Sequence, residues 1–240
     1  MWPSRPGRVR TRGTLSLEPL EPRILLSAAQ PTAWDQYLLE LVNRARSDPA
    51  AEAARFGIDL NEGVAPEDTI STDPKQPLAM NLFLADAAQG HTEWMMATDT
   101  FSHTGSGGSS PGDRMAAAGY QFDLPWGWAE NIALYQEKPT VPEMTWATEH
   151  LHEMLFVDDG YPGRGHRLNI LDPDLREIGT GVVAGDWDGW NAVACTEDFA
   201  YSGSDVFLTG VAYDDSVADD DFYTPGEGLA GVVIEATRQS

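Results

Sequence analysis

A single cysteine, Cys195, stands in 240 residues, so the chain can close no internal disulfide and build no multi-cysteine zinc site. Its setting, Ala192-Val193-Ala194-Cys195-Thr196, reads as a buried strand. No basic side chain lies close in sequence to activate the thiol, which makes it a small apolar filler. Basic residues are scarce as well: 15 Lys and Arg face 38 Asp and Glu, for a net charge of -23. A field of that sign repels phosphate backbones and anionic lipid, which excludes nucleic-acid binding and membrane docking through a basic patch. No apolar run approaches the roughly 18 residues of a membrane span, so there is no integral membrane segment. The glycine-rich stretch Thr104 to Ser110 lacks the lysine of a phosphate-binding loop, and no cofactor fingerprint or internal repeat is present.

What little base there is gathers at the amino terminus, where Arg5, Arg8, Arg10, Arg12 and Arg23 outnumber Glu18 and Glu21. The apolar piece Ile24 to Ala29 is shorter than the core of an ordinary signal peptide, and prolines and glutamates interrupt what precedes it. Leu20-Glu21-Pro22-Arg23 followed by Ile24-Leu25-Leu26 resembles the LEPR-XLL leader of exported bacterial proteins. Residues 1–30 are thus expected to be an export leader or a disordered basic tail, residues 31–213 one domain, and residues 214–240 an acidic tail. The length supports one full core and not two.

Leu38, Leu41, Val42 and Ala45 recur at helical spacing, and Asp48-Pro49 opens a second short helix. Gly57 to Pro77 has no period and reads as surface loop. Asn81 caps a helix to about Thr98 whose inward stripe includes Leu84, Ala88, His91 and Met95. Ser110-Pro111-Gly112-Asp113 starts a helix ending at Gly119. Thr140-Val141-Pro142-Glu143 reads as another capping box, launching a helix to about Val157 with Met144, Leu151 and Leu155 on its core face and Glu149 and His152 on the other. Ile178 to Ala184, Asn191 to Phe199 and Val206 to Tyr213 predict three strands, and Leu229 to Ala236 one more. Helices first and antiparallel strands last give an α+β class, a small mainly antiparallel sheet covered by helices.

Phe101-Ser102-His103, Trp128-Ala129-Glu130-Asn131 and Gly163 to Leu171 are read as three loops that together supply two histidines and a carboxylate. With Leu41 to Arg46, His91-Thr92-Glu93-Trp94-Met95, Arg114 and Ala118-Gly119-Tyr120, these motifs in this order resemble the CAP superfamily, the SCP-like extracellular domain, in its bacterial branch, over roughly Trp34 to Tyr213. The resemblance implies an α-β-α sandwich and a cleft of two histidines and two glutamates that holds a divalent cation. By position these are His103, His166, Glu130 and Glu149, with Glu153 or His152 able to replace the last. Ala129 stands where glycine usually precedes the Glu-Asn pair, and the link through Phe156 to Pro162 is longer than in many bacterial relatives.

Such a ligand set suits zinc, and a bound metal could activate water; without metal, imidazole and carboxylate can still exchange protons. In the tail, Asp215, Asp219, Asp221 and Glu227 resemble a degenerate calcium loop whose register is off by one residue and which lacks the glycine at position 6. Three functions follow as expectations. The cleft binds a cation and a small apolar or peptide-like ligand; or it is a metal-assisted hydrolase of peptide or cell-wall material; or the chain is a calcium-dependent module that adheres to an extracellular surface component. Each places it outside the cell or in the envelope.

Overall fold

The structure is a computed structural model that describes residues 30–234; the expected leader lies outside the described residues. Helix α1, Ala33–Ser47, begins at a capping box in which Thr32 and Asp35 exchange backbone and side-chain bonds. Leu38, Leu41, Val42 and Ala45 are all fully buried, and each leucine or valine contributes roughly 1.5–3 kcal/mol by leaving water. Asp48 caps α2, Pro49–Arg55, with proline at its first position. After the loop and the two-residue strand β1, Ala79–Met80, Asn81 caps α3, Leu82–Thr98, by accepting from the amides of Phe83 and Leu84. Helix α4, Pro111–Ala118, has the expected Ser110–Asp113 box and ends at Gly119 with φ +112°.

The next element departs from expectation. Trp126–Glu137, of which Trp128 to Asn131 is read in sequence as a loop, is the twelve-residue strand β2. Its sequence lacks clean alternation because Glu130, Asn131, Ile132 and Ala133 are all buried, two on each face of the sheet. Helix α5, Met144–Val157, is capped by the Glu143 carboxylate and not by Thr140; both of its oxygens accept first-turn amides. Gly165–Leu171 forms a short helix, α6, where a loop is expected. Strands β3, Glu177–Trp187, and β4, Trp190–Ser202, close the fold as a hairpin.

The sheet runs β1-β3-β4-β2; only β1 pairs in parallel. On one face lie α3 and α4. Gly179 and Gly181 of β3 turn toward α3, where an added Cβ at Gly179 would sit 2.0 Å from the Leu84 carbonyl carbon and the Ala85 nitrogen. Between them Thr180 points to the opposite face and donates to the Asp35 carbonyl of α1. That face is covered by α1, α5 and α6, and the main core of Leu38, Leu151, Phe156, Ile178 and Phe199 fills it. The result is the expected α-β-α sandwich, with Cys195 buried in β4 and its thiol pushed well up by burial.

Val206 to Tyr213 is not a strand; only Tyr213 forms a bridge, to Gly228, and no strand occurs in Leu229 to Ile234 either. The acidic tail instead packs on α1, with Phe222 and Tyr223 against Tyr37 and the Arg44 guanidinium over the Phe222 ring.

Candidate functional site

His103 follows α3 in a loop, and its Nδ1 lies 2.7 Å from Glu130 Oε1 on β2. A carboxylate only accepts, so the ring donates from Nδ1 and leaves Nε2 free of the pair. The Glu130 side chain is 1% exposed and that of His103 51%. The second Glu130 oxygen accepts from Arg114 Nη2 on α4, and Arg114 Nη1 donates to the His103 carbonyl at 3.0 Å and the Ser109 carbonyl at 3.1 Å. One carboxylate thereby orients both a histidine and the guanidinium that fixes the histidine's backbone.

His166 is built the same way from different parts. Its Nδ1 lies 2.7 Å from Asp158 Oδ1, and its backbone amide donates to Asp158 Oδ2 at 2.9 Å. Asp158 terminates α5 in the left-handed region, φ +54°, which turns its buried carboxylate back toward α6. Asn131, the residue after Glu130, points through the other face of β2 and donates to the His166 carbonyl at 3.2 Å, while Asn169 donates to Asn131 Oδ1 at 2.8 Å. Consecutive residues of one strand therefore hold the two histidine segments, one on each side of the sheet. Arg167 ties the segment down through the carbonyls of Phe156, Leu60 and Val157.

Glu149 does not join them. It accepts a hydrogen bond from the Tyr37 hydroxyl and borders a hollow between α1, α2 and α5 with Arg44, Arg55 and Trp146. Nor do its two substitutes. His152, expected on the solvent side of α5, is fully buried, because α2 covers that face and supplies Glu52 at 3.0 Å from its Nε2. Burial alone would raise the Glu52 carboxyl, but hydrogen bonds from His152 and Arg44 outweigh it and hold it down to about 2. Glu153 pairs with His150 at 3.1 Å. Among the described residues no three His, Cys, Asp or Glu side chains come together as a metal-binding group. Both oxygens of Glu130 are taken by His103 and Arg114, so the four residues named from the sequence do not fit a cation cage as they stand.

In the tail, Glu227 Oε1 accepts the amides of Val217 and Ala218 and Oε2 that of Thr224. Asp215 accepts the amides of Asp220 and Asp221. These carboxylates hold the turn together from within instead of facing a common calcium point, and Asp219 and Asp221 join no such group.

Sequence reasoning leaves out Asp158, Asp198 and Glu197. Asp198 faces Glu130 across β2 and β4, is fully buried, and has no hydrogen-bond partner on either oxygen. Burial, and then the Glu130 carboxylate beside it, push its carboxyl well up, with Arg114 opposing. Glu197 lies on the opposite face, where burial pushes it up to about 7 against a single hydrogen bond from Asn131 at 2.9 Å. Two acids in a run already read as a buried strand, Asn191 to Phe199, were the available signal. His91 points inward as expected, bonding the Ser102 carbonyl at 2.9 Å and stacking on Trp94. Burial lowers its basicity.

Between the two histidine segments, the outer edge of β2 borders an open hollow of about 310 Å³. Ile132, Leu134 and Trp187 wall it on one side, Met154 and Tyr161 on the other, with His166 at its polar end. The model of the CAP family, described as the cysteine-rich secretory protein family, matches residues 39–199. The chain belongs to this family. Its CAP domain is similar to an extracellular protein containing an SCP domain from Bacillus anthracis str. Ames, at 21% identity over 69% of this chain, with a TM-score of 0.41. The chain spans 39% of that protein's length. It is also similar to an outer surface protein of Borrelia burgdorferi, at 10% identity over 71% of this chain and 95% of the other, TM-score 0.42. A third similar structure is that of NaASP2 with Zn2+, at 16% identity over 70% and 80% of the two chains, TM-score 0.42. No curated protein matches the sequence. No helix among the described residues is long and apolar enough to cross a membrane.

Proposed function

We propose that this is an exported CAP-domain protein whose hollow along β2 binds a small apolar or peptide-like ligand, with His166 as the polar contact. The observation that carries this reading is the hollow itself: a concave, carbon-walled space with one oriented imidazole at its end has the composition of a ligand pocket. His166 is held by the buried Asp158 carboxylate, so its Nε2 is oriented for a polar ligand group without rotamer search. Binding is favoured over hydrolysis because the lining offers no carboxylate, and its only hydroxyl is that of Tyr161. The calcium-adhesion reading loses its basis where Glu227 and Asp215 are spent on backbone amides.

The test uses Trp187 in the hollow as reporter. Titration with the neutral apolar dye N-phenyl-1-naphthylamine is expected to quench tryptophan emission saturably. Met154→Arg, at a side chain 39% exposed and so tolerant of change, should weaken that binding about tenfold while circular dichroism stays unchanged. Equal binding by the folded variant and the parent would refute the assignment.

A further inference from the structure

The edge of β2 that borders the hollow is an unpaired sheet edge. In the order β1-β3-β4-β2 no further strand lies beyond β2 among the described residues. Which backbone groups point outward is set by Glu130, whose carbonyl is reached from outside the sheet by Asn169 Nδ2 at 3.5 Å. In an antiparallel pair, N–H and C=O turn toward and away from the partner on alternate residues. With Glu130 facing out, Ile132 and Leu134 face out too, while Asn131, Ala133 and Tyr135 bond β4. No hydrogen bond to the amide or carbonyl of Ile132 or Leu134 comes from outside the sheet among the described residues. These are the strand residues that line the hollow.

Natural sheets protect such an edge with lysine, proline or a bulge. Here the pairing with β4 runs without interruption from Trp126 to Glu137, and proline and lysine stand only at its two ends, Pro125 before it and Lys138-Pro139 after it. The edge is open where Ile132 and Leu134 line the hollow. Charge then narrows the occupant. Past Met154 and Tyr161 the groove continues into a second hollow of about 240 Å³ that adds Glu153 and Asp159 to its wall. Asp159 is 93% exposed, and its nearest cation, Arg164, stands 3.9 Å away. The protein as a whole carries -23.

Resting on the reading of this hollow as the ligand site, we infer that its ligand is an extended peptide that adds to β2 as a fifth strand, with lysine or arginine at its flank. Its backbone exchanges hydrogen bonds with Ile132 and Leu134. Successive side chains alternate between the Trp187 wall and the Met154 wall, and the basic flank meets Glu153 and Asp159. His166 lies within the same groove to accept a further N–H.

The probe is a capped heptapeptide alternating valine and threonine between terminal lysines, titrated calorimetrically into the whole protein. Two copies carry N-methyl groups, one on the valine amides and one on the threonine amides. Strand addition presents one set to β2 and the other to solvent, so one copy should bind about tenfold more weakly and the other within about twofold of the parent. This asymmetry leaves the protein untouched, so misfolding cannot produce it. In amide exchange, the peptide should protect Ile132 and Leu134 while leaving Ala133, already in the ladder, unchanged. A copy with terminal glutamates should bind more weakly than the parent. Equal loss for both methylated copies, or no peptide binding, overturns the strand reading. If the dye still binds in that case the hollow remains a ligand site; if the dye fails as well, that reading falls first. A dimer in sedimentation whose Ile132 and Leu134 amides are protected without peptide would assign the edge to a second copy and equally overturn the proposal.

Discussion

Replacing Glu197 with glutamine should flatten the pH dependence of stability, and the size of the change can be worked out. In the unfolded chain this carboxyl titrates near 4.5; in the native protein burial lifts it to about 7. Between those values the unfolded chain sheds its proton while the folded chain keeps it, so folding takes up a proton and stability falls as pH rises. The loss is complete once pH passes about 7 and amounts to roughly 3 kcal/mol. Glutamine preserves the shape and the acceptor for Asn131 Nδ2 but has no proton to lose. Other acids whose carboxyls burial pushes up, Asp198 and Asp35 among them, are present in both proteins and cancel in the difference. Urea unfolding at half-unit steps from pH 4.5 to 8 would give two curves. The parent should lose about 3 kcal/mol relative to Glu197→Gln across the series, nearly all of it below pH 7. Parallel curves would show that this carboxyl is solvated or already ionised in the fold, and the reasoning about its burial would be wrong.

Two further outcomes follow from packing and charge. Gly179→Ala should prevent folding or cost several kcal/mol, since its Cβ meets helix backbone and not a movable side chain, whereas Gly127→Ala meets only the Tyr201 ring and should cost far less; thermal melts of the pair would contradict this by showing equal losses. Arg114→Ala leaves the buried Glu130 carboxyl without its guanidinium, so a destabilisation of about 3 kcal/mol at pH 7 is expected in urea unfolding; a loss too small to measure would mean that carboxyl does not depend on the arginine.

The sequence was most legible where local chemistry decides. The caps at Asn81 and Ser110, the helical stripe of Leu38 to Ala45 and the glycine stop at Gly119 all stand where spacing put them. It was least legible where burial comes from distant segments. The run Trp128 to Asn131 carries no strand signature of its own and becomes one only by pairing with β4. His152 sits on a polar face of α5 by periodicity and is buried because α2 brings Glu52 to it. Glu143 outcompetes Thr140 as a cap because its carboxylate reaches two amides at once. At the site, motif order named His103, His166, Glu130 and Glu149 as one cleft; in the structure His103 bonds Glu130 and His166 bonds Asp158. It did not reveal that Asp158 and Arg114 complete the two arrangements, nor that Glu149 belongs to Tyr37.

Because Glu130 and Asn131 are neighbours that leave β2 in opposite directions, the strand's register decides which group each histidine receives. A single residue inserted upstream in β2 would put Glu130 in the place of Asn131 against the His166 carbonyl, where two acceptors would confront one another, and Ala129 in the place of Glu130 before His103. A change of two residues restores the faces but moves both groups two places along the strand. Divergence in this strand is therefore free to alter side chains but not its count, and chains that lengthen here should do so beyond Glu137, in the turn before α5.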